Sequence, residues 1–249
     1  MSDLARHAAQ LALLDETTAT QGAWRVRASD RARRLTVRVF PGGKVEIVVP
    51  NGTRPRVVEQ FVAKYRPWID RKLAQYQPLE TETGDALPTT IRFRASGDCW
   101  HVDHIEARGA PKLTIDGARL LLIGDLTRVA LARHALQRFT MRIAHAILVP
   151  QLGQLAAERG LHYSSAQIRR QRTRWGSCSR RGTISLNACL LFQSPEVVRY
   201  LLLHELAHTR HLNHSRRFWA LVEQLEPRWR ELDAELSQGW REVPGWVLR

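Results

Sequence analysis

The stretch Leu201-Leu202-Leu203-His204-Glu205-Leu206-Ala207-His208-Thr209-Arg210-His211-Leu212-Asn213-His214 decides what kind of domain carries it. A helix is predicted to enter it, with Ser194 as N-cap, Pro195 at the first helical position and Glu196 in the first turn. On that helix His204 and His208 lie one turn apart and share a face. Two imidazole nitrogens at that spacing chelate one Zn²⁺, and Glu205 stands beside the metal, where it can take a proton from water. Chance supplies roughly 0.02 HExxH matches in a chain of this composition, and a further His six positions on makes the coincidence rarer still. The apolar residues Leu201 to Leu203, Leu206 and Ala207 suit a buried helix behind a metal.

The third ligand is open between two histidines. His211 shares the helical face of His204 and His208 if the helix continues. A helix rises about 1.5 Å per residue, so His211 would lie about 10 Å from His204 along the axis. If instead the chain turns back at Asn213, a residue able to end a helix in a left-handed turn, His214 returns to the metal. The HExxHxxxxxH spacing favours His214.

Immediately upstream runs Ile168-Arg169-Arg170-Gln171-Arg172-Thr173-Arg174-Trp175-Gly176-Ser177-Cys178-Ser179. A strand enters it, a glycine-containing turn follows, and Thr183 to Asn187 is expected to be the returning strand of a small hairpin. Between Arg159 and Pro195 there are seven Arg and no Asp or Glu. Arg169, Arg170, Arg172, Arg174, Trp175 and His211 are therefore candidates for contact with an anionic substrate or nucleic acid. Each arginine taken singly fits an exposed solvated face as well, and Cys178 fits a small buried thiol.

Further out, composition sets the limits. The chain has 249 residues, 44% hydrophobic and 25% charged, as soluble globular proteins do. No apolar run approaches the roughly 20 residues needed to span a bilayer. Cys99, Cys178 and Cys189 show no CxxC spacing, so neither a disulfide scaffold nor a cysteine zinc ribbon is supported. No secretory signal is visible at Met1 to Arg6, and a cytoplasmic location is expected. The net charge of +14 favours polyanionic partners, DNA or nucleotides among them, although an arginine bias also fits a GC-rich genome.

The expected fold is α+β. A flexible arm covers residues 1–21, a β-rich region 22–124, and a helical domain 125–249 carries the chemistry. A hairpin is predicted from Leu35, Val37 and Val39 through Pro41-Gly42-Gly43 to Val45, Ile47 and Val49. A helix capped by Thr53 follows, and Pro67 should break or kink it. Residues 77–88 are polar and turn-rich, as a linker or long loop would be. Strands are expected at 90–93, 100–105, 112–115 and 120–123. A long helix should start from Asp125, meet an interruption at Pro150 and stop at Gly160.

With these segments in hand, the chain resembles the YgjP-like metallopeptidase-domain family of bacteria and archaea. The likeness rests on Thr173 to Ser179, on His204 to His208, and on Asn213-His214-Ser215 leading to Phe218-Trp219. The family in turn resembles the minimal zincin folds of SprT-like proteases, which act on proteins crosslinked to DNA. The resemblance implies a zincin core in the C-terminal half, with His204, His208 and His214 as zinc ligands and Glu205 as base. His211 departs from the metzincin pattern, which has Gly there. Members of the family have also been assigned a nucleoside-triphosphate pyrophosphatase activity. The leading expectation is a zinc-dependent peptidase acting on protein or peptide, including nucleic-acid-associated proteins. The alternatives are a metal-dependent nucleoside triphosphate pyrophosphatase and a non-catalytic zinc-containing nucleic-acid-binding module. A purely structural zinc needs no general base, so Glu205 counts against the last.

Overall fold

A computed structural model describes residues 24–41, 43–76 and 86–248; the arm expected over 1–21 lies outside them, as does most of the stretch expected to link the halves. The chain divides into two compact units, Met1–Gln77 and Pro78–Arg249.

In the first unit, alternation of apolar and polar residues produces strands β1 (Trp24–Ser29), β2 (Thr36–Val39) and β3 (Val45–Pro50). The expected hairpin forms between β2 and β3, antiparallel from Thr36↔Val48 to Val39↔Val45. β1 adds parallel to β3, giving the order β1-β3-β2. Helix α1 (Pro55–Gln75) covers the sheet, with Ile47, Val49 and Val58 buried and Phe61 and Val62 packed against them. Two details differ from expectation. Thr53 does not cap the helix: its hydroxyl donates to the Pro50 carbonyl at 2.6 Å, and Pro55 at the first turn needs no donor satisfied. Nor does Pro67 end the helix. Val58 and Ile69, one on each side of it, are both buried, and that burial offsets a lost backbone hydrogen bond.

The second unit begins with β4 (Thr90–Phe93), β5 (Asp98–Glu106), β6 (Lys112–Asp116) and β7 (Arg119–Gly124), in the order β4-β5-β7-β6. All four strands fall where alternation predicts them. The 30-residue helix α2 (Val129–Glu158) follows. Asp125 does not cap it; its carboxylate accepts from Thr127 N–H at 3.2 Å in a turn that precedes the helix. Pro150 sits inside α2 between fully buried Leu148 and Leu152, whose packing keeps the helix continuous through it. Gly160, at φ +59°, ends the segment as expected.

The unit boundary precedes the 124/125 boundary read from the change of pattern, and the packing explains why. Phe93 of β4 lies 6.1 Å from Phe139 of α2 and 5.6 Å from Phe192, ring to ring. Ala95 N–H donates to the Leu191 carbonyl at 3.1 Å. The four-stranded sheet thus shares its core with the helices.

The third sheet comprises β8 (Ser165–Arg169), β9 (Gly176–Cys178) and β10 (Thr183–Asn187), in the order β8-β10-β9. Here the expected hairpin needs correction. β10 does not return antiparallel on the strand ending at Arg169; it runs parallel to it, from Thr183↔Ser165 to Asn187↔Arg169. The antiparallel partner of β10 is β9. The reason lies in buried Asn187. Its amide donates to the carbonyls of Gln171 and Arg174, both at 2.7 Å, and its N–H donates to that of Trp175 at 2.8 Å. These bonds fold residues 170–175 into a loop that carries the chain from β8 across to the other side of β10.

A buried 3₁₀ turn (Ala188–Phe192) leads to α3 (Pro195–Ala207), α4 (Arg216–Leu225), α5 (Trp229–Gln238) and the short α6 (Gly245–Leu248). Fully buried Ile184, Leu186, Leu202, Leu203 and Leu206 tie the third sheet and α3 into one core. The fold is α+β. Among the described residues no helix is long and apolar enough to cross a membrane.

Candidate metal centre

Helix α3 begins as predicted: Ser194 Oγ accepts from Val197 N–H at 3.4 Å, Pro195 occupies the first turn, and Glu196 faces the positive end of the helix dipole. It ends earlier than the sequence suggests. The last helical residue is Ala207, not one near Asn213, and the N–H groups of Arg210 and His211 both donate to the Ala207 carbonyl in a tight turn. The chain then reverses, and Ser215 caps α4 through Phe218 N–H. His214, just ahead of that cap, is delivered back to α3.

Three imidazoles meet there. His204 and His208 have ring centroids 5.0 Å apart, and His214 lies 5.2 Å from the first and 4.7 Å from the second. One ligating atom from each falls within 4.8 Å of the others. The closest approach is 3.2 Å, between Nε2 of His204 and Nε2 of His214. Fully buried Phe218 forms the floor, its ring within 4.9 Å of all three, and Trp219 stacks on His214. Among the described residues this is the group able to hold a metal ion, and the His211 ring is not in it. His211 contributes its main chain instead: its carbonyl accepts from His208 Nδ1 at 3.0 Å.

His204 and His208 are prepared as neutral donors. Burial, reinforced by the neighbouring imidazoles, pushes His204 down to about 3, and burial also lowers His208. The Nδ1 of His204 lies 3.4 Å from the Tyr200 hydroxyl, which donates to Asp233 Oδ1 at 2.8 Å. With both Nδ1 atoms directed outward to oxygen, Nε2 of His204 and of His208 is left for the cluster. Sequence reasoning missed Tyr200 and Asp233. Tyr200 lies one turn before His204 on the same face, a spacing visible in the sequence, whereas Asp233 arrives from α5 and has no local signature.

Glu205 is 4% exposed, and Oε2 finds no hydrogen-bond partner among the described residues. Burial raises its pKa to about 8, against the opposing charge of Arg174. Gly176 of β9 is a third missed residue: a Cβ there would overlap Oε1 of Glu205 and come within 2.8 Å of its Cδ. Only a glycine lets the strand backbone pass this close to the carboxylate. Cys178, two residues on, is half-buried, and burial together with the charge of Glu205 raises its thiol pKa, which keeps it protonated.

The remaining predicted contacts separate. Arg169 is exposed and donates to Gln167 at 2.9 Å. Arg170 donates to buried Gln137 of α2, which anchors it to the core. Arg172 and Arg174 lie exposed on the loop before β9. Trp175, expected to meet substrate or nucleic acid, is 9% exposed and stacks on Trp240 at 4.1 Å.

Three converging imidazole donors, an orphaned buried carboxylate and an aromatic surround fit a transition metal such as Zn²⁺, and the exposed His214 leaves one side accessible. A family model described as YgjP-like, metallopeptidase domain, matches residues 33–239. No curated protein matches the chain. Among solved structures, the chain is similar to the metallopeptidase zymogen of Pyrococcus abyssi abylysin. The two share 28% identity over 36% of this chain and 91% of that one, with a TM-score of 0.34.

Proposed function

The chain belongs to the YgjP-like metallopeptidase-domain family, and from that membership we propose that it is a zinc-dependent peptidase with Glu205 as general base. The observation that carries the reading is the convergence of His204, His208 and His214 beside a buried carboxylate with one oxygen unpartnered. The three histidines would hold the metal, with Tyr200 and the His211 carbonyl fixing the outward nitrogens of His204 and His208. Zinc, when bound, supplies a Lewis acid that polarises a scissile carbonyl and acidifies water.

Glu205 serves as the base in this reading. It takes a proton from water as the water oxygen bonds to the carbonyl carbon. It returns that proton to the amide nitrogen as the C–N bond breaks. Strand β9 lies at the sheet edge beside this carboxylate, so an extended peptide can pair with it. Exposed Arg172 and Arg174 favour acidic stretches of substrate, such as proteins that travel with nucleic acid.

The test incubates metal-loaded chain with casein, a DNA-bound protein and nucleoside triphosphates, each beside Glu205→Gln. Casein cleavage by wild type, lost in a variant that keeps its zinc, is expected. Triphosphate hydrolysis without peptide cleavage would assign the site to phosphate chemistry and overturn the proposal.

A further inference from the structure

The first unit carries a surface that the peptidase reading does not use. Residues 24–76 hold thirteen Lys and Arg against four Asp and Glu, a balance of +9 out of +14 for the whole chain. Two of the four acids are already paired, Glu46 with Arg27 and Arg38 and Asp70 with Arg66. A groove of about 390 Å³ lies between β2 and α1, walled by Leu35 and Val37 on one side and Phe61, Tyr65 and Trp68 on the other, with Arg34 at its rim. No acidic side chain lines it.

The aromatic wall is a helix stripe. Phe61, Tyr65 and Trp68 follow at intervals of four and three, so they share a face, and that face sits beside the one occupied by core residues Val58 and Ile69. Phe61 and Tyr65 lie 4.6 Å apart, ring to ring. Tyr65 is nevertheless 37% exposed and Trp68 36%. Cations already approach such rings here: Arg66 sits 5.2 Å from the Trp24 ring and Lys64 5.7 Å from that of Tyr65.

We infer that this unit binds single-stranded nucleic acid, with unpaired bases stacking on Tyr65 and Trp68 and phosphates following Arg34 and Lys64. The charge calls for a polyanion, and the rings call for a partner with π-faces at regular intervals; a single strand offers both in every residue. A duplex hides its bases from the rings, and an acidic peptide supplies charge without stacking. The inference is independent of the proposed hydrolysis and of the metal.

The experiment measures anisotropy of a labelled oligothymidylate of about 20 nucleotides with the full chain, at about 50 mM salt and upward, without added metal. Saturable binding is expected, stronger than to a duplex of the same length. The Tyr65→Ala, Trp68→Ala double variant should weaken it at least tenfold with an unchanged melting curve, while Trp68→Phe stays within threefold. Arg34→Gln reports without touching the wall: the slope of log affinity on log salt should fall by about 0.7. No binding, equal binding by the double variant, or displacement by polyglutamate as effective as by unlabelled oligonucleotide would overturn the inference. So would loss of binding in an Arg169→Gln, Arg172→Gln chain that keeps both rings, since that would move the contact to the second unit.

Discussion

At the scale of single residues, the histidine cluster is positioned by groups outside it. Tyr200 stands between His204 and Asp233, and an outward partner of this kind fixes a ligand's tautomer and ring orientation. Tyr200→Phe keeps the ring and deletes the hydroxyl. Zinc affinity by competition with a chelator should fall about 10- to 100-fold, with a smaller change in folding. An affinity equal to wild type would make the hydroxyl a partner of Asp233 alone. The two nearby histidines should behave differently. His214→Ala removes one of the three converging imidazoles and should abolish stoichiometric zinc binding. His211→Ala preserves the carbonyl that receives His208 Nδ1, so it should keep zinc. Metal analysis of the two single variants decides this, and exchanged phenotypes would place the His211 ring on the metal. Gly176→Ala is a third residue-scale case. The added methyl displaces the Glu205 carboxylate, and peptide hydrolysis should fall at least tenfold while zinc content stays at wild-type level.

At the scale of elements, the loop before β9 is held by one buried amide. Asn187 accepts from Cys189 N–H at 3.1 Å and donates to the carbonyls of Gln171 and Arg174. Asn187→Ala leaves three main-chain groups without their partner, a cost of about 2–4 kcal/mol. The expected result is a fall of several degrees in melting temperature, because a unit of this size loses about 2–4 °C per kcal/mol. The same loop carries Arg174 and leads into Gly176, so catalysis should fall further than stability alone accounts for. Calorimetry beside a turnover assay separates the two effects. Helices α1 and α2 make a complementary point. Each contains a proline that its neighbours override, because buried Val58 and Ile69 in one and Leu148 and Leu152 in the other hold the helix on both sides of the proline.

At the scale of the whole molecule, the histidines, their outward partners and Glu205 all belong to the second unit, and the excess charge is densest in residues 24–76 of the first. Metal binding stabilises what it contacts, by about 2.7 kcal/mol at a hundredfold excess over Kd. Hydrogen exchange with and without chelator should therefore change in α3, the turn after it and α5, and leave α1 and β1 to β3 unchanged. Uniform change across the chain would contradict that expectation. What the sequence determined by itself is local: the cap and spacing that place His204 and His208 on one face, the alternation that gives β2 to β7, and the stop at Gly160. These follow from short-range geometry, which a few neighbouring residues specify. Only the tertiary structure decided that the helix ends at Ala207, that β10 runs parallel to β8, that Asp233 reaches Tyr200 and that Gly176 yields its space to Glu205. Each of those depends on backbone groups or side chains from separate segments competing for the same buried volume, and no local pattern encodes which of them will meet.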